Sequence, residues 1–349
     1  MAKNITIRDV AARAGVSVST VSRTLSGVET PIPISEETRE RVLQAARELA
    51  YRPHPGARLL RSKATNMLGL IVREIEDPFF AQLVKALRSA AKERGFELVM
   101  GYAEADPSEA LRISELMMDL RYCDGLFLVG DLRETPEDLA QLERIGWSVP
   151  LAMVNRGSSQ LVGNYPSITT DNRSGVWLAM DYLAGLGHTR VAFLGGERAG
   201  DLRERQQAYL AYVSDHFGLP DPAYVQAAEN SMQGGYEGMR ALLSLPEPPG
   251  AVFASDDNMA IGALRAAYEA GARVPQDVSL VGFDDIHIAS FTTPRLTTIR
   301  QPVDELSCKA VELLQEMGKP GWDSARPAQH ISALPELVIR ESCSAPGRS

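Results

Sequence analysis

Thr6-Ile7-Arg8-Asp9-Val10-Ala11-Ala12-Arg13-Ala14-Gly15-Val16-Ser17-Val18-Ser19-Thr20-Val21-Ser22-Arg23 decides how the first domain of this chain folds. Thr6 with Asp9 three residues on is a capping-box pattern, and Ile7, Val10, Ala11 and Ala14 recur at one-face helical spacing. Gly15 supplies a tight turn and Ser17 caps a second helix, in which Val21 and Leu25 are core by spacing. Two short helices across such a turn form a helix-turn-helix, and the first turn of the second helix is the part that faces base edges. A third helix starts at Ser35, with Glu36 and Glu37 in its first turn and Val42, Ala46, Leu49 and Ala50 on one face. Together these predict an all-α head over 1–52.

Charge separates this head from the rest. Residues 1–63 hold 11 Lys/Arg against 6 Asp/Glu, a net of +5, whereas the remainder holds 25 against 39, a net of −14. A basic head can neutralise phosphates, and an acidic body discourages non-specific contact with DNA. The segment 53–64 reads as a hinge helix or linker; isolated helices below roughly 12 to 15 residues are marginal, so a helix there has to be supported by a partner chain and by DNA. Three cysteines, Cys123, Cys308 and Cys343, are few and far apart, which argues against a disulfide framework or a zinc cluster and suits a reducing cytoplasm. No apolar signal segment or membrane-spanning run is evident, so the expectation is a soluble cytoplasmic protein.

From about Thr65 apolar strands alternate with amphipathic helices. Strand candidates are Met67–Val72, Glu97–Tyr102, Gly125–Val129, Pro150–Asn155, Arg190–Gly195, Tyr224–Ala227, Ala251–Ser255 and Val278–Phe283. Helices fit between them over Pro78–Gly95, Pro107–Leu120, Arg173–Leu186, Gly235–Leu245 and Met259–Ala270. The pattern is βαβ, and it occurs on either side of Thr170, which predicts an α/β body of two doubly wound parallel-sheet subdomains over 65–349. Ligands of such sheets bind at the carboxyl ends of strands, and two facing sheets form a cleft that closes by hinging.

Several motifs, in order along the chain, carry a resemblance. Ile7 to Ser17 and Thr20-Val21-Ser22-Arg23, Tyr51-Arg52-Pro53 with Ala57-Arg58, Asp77-Pro78-Phe79-Phe80, Leu186-Gly187-His188, Ser255 to Ala260 and Val281-Gly282-Phe283-Asp284-Asp285 closely resemble the lactose/galactose repressor family. The likeness implies a homodimeric or tetrameric transcription regulator that binds operator DNA, with an effector cleft like that of periplasmic sugar-binding proteins. It further implies a C-terminal third that crosses back. The first subdomain is then about 65–168 plus 299–325, with Asp304 to Met317 packed on it, and the second about 169–298 plus 326–342.

In the head, the family pattern places Val18 and Ser19 at base-reading positions and Arg23 further along the same helix. Val18 can meet a thymine methyl or serve as a hydrophobic staple, and Arg23 can pair with guanine or phosphate. Thr6, Ser17, Thr20 and Ser22 suit phosphate contacts or caps. Ala57 belongs to the linker match, and Leu60 matches the family's minor-groove wedge, with dimer packing as the competing role for it. His54, Pro55 and Gly56 depart from the family's usual hinge start.

For the cleft, the resemblance implies effector contacts from one of Phe79 and Phe80, from Asn155 and Arg156, from Arg205, and from Asp257, the last accepting bonds from paired ligand hydroxyls. Here Ala208 replaces the family glycine after that arginine. The competing role for Arg205 and Asp257 is a salt bridge to each other. Trp147, Trp177 and Trp322 read as packing residues.

No catalytic constellation emerges, so the chain reads as neither an enzyme nor the holder of a cofactor or metal. His188 sits in a helix-terminal Gly-His turn, where capping the last carbonyls is the expected role. His54, His216, His287 and His330 lack ligand spacing, Gly195-Gly196 and Gly234-Gly235 read as turn signals, and Asp284-Asp285 as hydrogen-bonding groups at a hinge. The leading reading is a sequence-specific repressor released from its operator by a sugar. The rivals are the same architecture with a purine or protein corepressor and, in another class, a sugar-binding transport component. The basic head opposes the latter.

Overall fold

A computed structural model describes residues 5–26, 34–49, 51, 64–72, 74–104, 106–119, 122–130, 150–155, 165–196, 200–322 and 328–346. The chain divides into two compact units, Met1–Thr65 and Asn66–Ser349.

In the first unit, the Asp9 carboxylate accepts bonds from the Thr6 backbone N–H (2.8 Å) and hydroxyl (2.7 Å), which starts α1 (Ile7–Ala14). Gly15 ends it in the left-handed region at φ 66°, a conformation a Cβ would oppose. Ser17 Oγ then accepts from the Thr20 N–H at 3.1 Å and caps α2 (Val18–Ser26). Ser35 caps α3 (Glu36–Glu48) by accepting from Thr38 N–H at 3.3 Å. The apolar positions meet in a small core around Val10, Val21 and Val42, against which Leu25 and Leu49 pack.

The second unit follows the order β1 (Met67–Val72), α4 (Pro78–Glu93), β2 (Glu97–Tyr102), α5 (Pro107–Asp119), β3 (Gly125–Val129), β4 (Leu151–Val154), β5 (Ser167–Thr170), α6 (Asn172–Gly185), β6 (Val191–Gly195), α7 (Asp201–His216), β7 (Val225–Ala227), α8 (Met232–Leu243), β8 (Ala251–Ala254), α9 (Asp257–Glu269), β9 (Ser279–Asp284), β10 (Thr297–Arg300), α10 (Val303–Met317), β11 (His330–Ala333) and β12 (Glu336–Val338). One sheet has the order β11-β5-β4-β3-β1-β2 and the other β12-β10-β9-β8-β6-β7. Every pairing is parallel except β10 with β12. Central strands such as β3, β4, β6, β8 and β9 are buried at every position, as strands covered by helices on both faces must be. Among the described residues no helix is long and apolar enough to cross a membrane.

The chain passes between the sheets after β5, after β10 and after β11. As the resemblance implied, α10 lies on the first subdomain against α4, where Arg94 pairs with Glu312. The third passage differs from expectation: residues 330–333, assigned from sequence to the second subdomain, pair with β5 in the first, so the crossing falls between Ala333 and Glu336.

Two further expectations are corrected. Gly234 and Gly235 lie inside α8 and are not a turn. A Cβ on Gly235 would lie 2.1 Å from the Met259 carbonyl oxygen, and one on Gly262 only 1.8 Å from that of Met232, so these glycines let α8 and α9 touch backbone to backbone. The His188 side chain does not cap α6. Its Nε2 meets Ser279 Oγ at 3.0 Å and the Ser344 carbonyl at 2.9 Å, tying the chain's end to β9, and burial lowers its pKa. Trp177 and Trp322 pack against the cores, and Trp147 lies outside the described residues.

Gly235→Ala is expected to lower the stability of the body by roughly 1–3 kcal/mol through overpacking, whereas Gly185→Ala, with nothing within 4 Å of its Cβ, is expected to be tolerated. Calorimetric melting of both variants checks this; equal midpoints would contradict the close helix contact.

Candidate functional site

The Ser17 cap decides which side chains the second helix of the head offers to a partner. Its Oγ also contacts Ser19 Oγ (2.7 Å) and Thr20 Oγ1 (2.8 Å), which binds the helix start into one hydroxyl cluster. Ser17, Ser19 and Arg23 are exposed, Thr20 and Ser22 half-buried, and Thr6 is exposed at the start of α1. Val18 is half-buried and packs against the head core, as a staple does, with part of its surface open. Sequence reasoning passed over Arg8 and Arg41, which are exposed on the same small unit. For Arg8 a basic side chain in the helix before the turn was the available signal, whereas Arg41 lies in α3. Ala57 and Leu60 lie outside the described residues.

In the body, the polar groups gather at the carboxyl ends of the strands. Arg205, in the first turns of α7, is 1% exposed. Its Nε donates to Asn172 Oδ1 at 2.9 Å, its Nη1 to the Ser255 carbonyl at 2.6 Å and to Asp284 Oδ1 at 3.4 Å, and its Nη2 to Asp201 Oδ2 at 3.5 Å. The guanidinium lies 3.7 Å from the centre of the Phe283 ring. Its salt bridges therefore run to Asp201 and Asp284, not to Asp257. Asp284 in turn accepts from Gln301 Nε2 at 2.6 Å, and Gln301 Oε1 accepts from the Thr170 hydroxyl at 2.6 Å. This chain runs from the second sheet to the first along two of the crossings.

Both carboxylate oxygens of Asp257 are bonded within the protein. Its Oδ1 accepts from the Thr298 hydroxyl at 2.5 Å and its Oδ2 from the Ile286 N–H at 2.9 Å, and the residue is fully buried. A Cβ on Gly282 would lie 2.1 Å from that Oδ1, so the carboxylate is packed against β9. Burial pushes its pKa up, against the two hydrogen bonds. Its neighbour Asp256 is also fully inside the protein. Oδ1 caps α9 by accepting from Met259 N–H at 2.7 Å, while Oδ2 is buried and the Asn230 side chain bonds to the carboxylate. Burial and then the charge of Asp77 push its pKa up to about 6.

Asp77 follows β1 and caps α4 by accepting from Phe79 N–H at 2.9 Å. It also accepts from Asn258 Nδ2 at 3.3 Å, a bond that joins the two subdomains across their strand ends. Asp77 and Asp256 were readable as N-caps directly after strands, an Asp before a Pro at the helix start in one case, but the resemblance drew attention to their neighbours. Phe79 and Phe80 are each 2% exposed, in an edge-to-face pair with centroids 5.4 Å apart, and both stand in the core. Asn155 ends β4 in the left-handed region at φ 51°, is 2% exposed, and has an Nδ2 without a partner. Arg156 lies outside the described residues.

If Asp257 serves the interior, Asp257→Ala leaves both the Ile286 N–H and the Thr298 hydroxyl without their acceptor. The expected result is a destabilisation of about 1–3 kcal/mol without any effector present. Chemical denaturation measures it, and an unchanged midpoint would count against the interior role.

Comparison with known proteins finds a match for each unit. The chain matches the family model "Bacterial regulatory proteins, lacI family" over residues 6–54 and "Periplasmic binding protein-like domain" over residues 180–343. It is similar to the HTH-type transcriptional repressor CytR of Escherichia coli, 34% identical over 343 residues that cover 97% of this chain and 96% of the relative. Among solved structures it resembles the Lac repressor dimer bound to operator and the anti-inducer ONPF, with a TM-score of 0.83 and 28% identity over 98% of this chain and 100% of that one. It also resembles the complex of the transcriptional regulator CelR with cellobiose, with a TM-score of 0.71 and 29% identity over 97% and 99%. With its capped helix-turn-helix and its paired parallel sheets, the chain belongs to the lacI family of bacterial regulatory proteins.

Proposed function

We propose that this DNA-binding transcription regulator represses by holding a specific operator through its head, and that a small sugar in the cleft of its body releases it. The observation that carries the reading is the second helix of the head, whose Ser17 cap presents exposed Ser17, Ser19 and Arg23 together. Serine hydroxyls and a guanidinium are the groups that phosphates and guanine edges accept from. The sugar and the pairing of two copies on DNA are carried over from the relatives. One structural neighbour holds cellobiose, and another is a dimer on its operator. Operator DNA places the protein in the cytoplasm.

The body supplies what an effector response needs. Asp77 and Asn258 meet across the strand ends of the two subdomains, so a ligand at this seam changes their preferred separation. A ligand shifts such an equilibrium only through different affinity for its two states. The linker around Ala57 and Leu60, outside the described residues, is the proposed carrier of the change to DNA, with Leu60 as a minor-groove wedge.

Selection on random duplexes, followed by fluorescence anisotropy with the selected site, tests the DNA half of the reading. Arg23→Ala is expected to weaken binding and to relax preference at one symmetric pair of positions, by roughly 1–3 kcal/mol per base contact. An unchanged selected motif with only a lower salt slope would make Arg23 a phosphate contact, and failure to select any motif would overturn the reading.

A further inference from the structure

We propose that Asp124 fixes the direction in which the chain enters the body from the linker, and that operator affinity depends on this clasp. The inference rests on the operator reading above and adds a positioning residue to it.

Asn66 is the last residue before β1, and both neighbours of that strand hold its backbone. On the β3 side, Asp124 Oδ2 accepts from the Asn66 N–H at 2.7 Å, and on the β2 side the Glu97 N–H donates to the Asn66 carbonyl at 3.0 Å. Asp124 is itself set in place by its own N–H, which donates to the Met67 carbonyl at 2.8 Å.

The conformation held in this way is one that most residues resist. Asn66 has φ 56°, in the left-handed region, which asparagine enters more readily than most side chains do. A left-handed residue turns the chain, so the residues before Asn66 do not continue the line of β1. Asn66 is exposed, so its hydrogen bonds hold this turn in place of core packing. Without the bond to Asp124 an extended φ costs less, and the chain is free to run straight on from the strand.

Strand β1 links this turn to the seam between the subdomains. It is buried from Leu68 to Val72, is paired with β2 on one side and β3 on the other, and spans about 20 Å. Asp77 follows it and meets Asn258 of the second subdomain. The linker and the seam therefore stand at opposite ends of one central strand, and a change of angle at the seam moves the Asn66 turn as part of a rigid sheet. That angle reaches the linker only while Asp124 holds the turn.

Specific binding by two copies needs both heads at a set half-site spacing, whereas phosphate contacts with random duplex do not. A linker released from its set direction lowers the effective concentration of the second head at its half-site. Losing the clasp therefore costs operator affinity and spares random DNA.

Fluorescence anisotropy of the full chain with the selected operator and with a random duplex tests this, beside thermal melting. Asp124→Ala is expected to bind the operator at least about tenfold more weakly and the random duplex within about twofold of the parent. Asp124→Asn keeps an acceptor for the Asn66 N–H and is expected to restore operator affinity. A lower melting midpoint with operator affinity unchanged well below it would give Asp124 a role in stability alone and overturn the proposal.

Asn66→Val probes the same turn from an exposed position, because a β-branched side chain opposes a positive φ. It is expected to weaken operator binding as Asp124→Ala does, and the double variant is expected to be no weaker than either, since both remove one device. Unchanged operator binding by Asn66→Val, losses that add in the double variant, or equal losses on operator and random duplex overturn the proposal and leave the operator reading standing. Failure to select any operator removes both.

Discussion

A guanidinium taken out of water is costly unless every donor finds an acceptor, and the body of this protein is arranged around one such group. Arg205 is 1% exposed, stacked on Phe283, and bonded to a carbonyl at the end of β8, a carboxylate at the end of β9, a side chain at the start of α6 and an acid on its own helix. Removing any one of these partners leaves a buried charge under-satisfied, with penalties of several kcal/mol. The ends of the central strands of the second subdomain are thereby held in register with one another. Through Asp284, Gln301 and Thr170 the same network reaches the first sheet.

The backbone around this network is strained. Asp284 and Asp285 both have positive φ, 116° and 52°, which costs non-glycine residues on the order of 1–3 kcal/mol each. The strain is offset locally, since Asp285 accepts from Arg300 at 2.6 Å and from Arg340 at 2.5 Å. Asp284 and Asp285, at the end of β9, bond to Gln301 and Arg300 at the crossing after β10, so the passage between subdomains is a hydrogen-bonded joint. Such a joint suits a small set of discrete angles, which is what a population shift requires.

Much of this was legible in the sequence, for a physical reason. The head is decided by short-range capping, and Thr6, Asp9, Gly15 and Ser17 announce it. Strands β1 and β3 are continuous apolar runs, and these and the edge strand β2 were bounded correctly. Strands β5, β10, β11 and β12 were missed because they are short and polar. Thr297 and Thr298 in β10 are fully buried, their hydroxyls bonded to the Arg340 backbone and to Asp257, and no hydrophobic periodicity reports that. Gly234-Gly235 signalled a turn because local propensity cannot see a second helix pressing on the backbone. At the strand ends the resemblance pointed to Asp257, and the partners that hold its oxygens, Thr298 and Ile286, are distant in sequence. The partners of Arg205 were illegible for the same reason.

The central claim is that the arginine-centred body and the helix-turn-helix head are two ends of one equilibrium. The measurement that tests it most directly is operator affinity by fluorescence anisotropy across a titration with a sugar that stabilises the protein. The account predicts that operator affinity falls and levels off over the same sugar concentrations that saturate the body. An operator affinity that stays constant while the sugar fills its site would contradict it, because coupling between sites is reciprocal and cannot be present for one ligand alone.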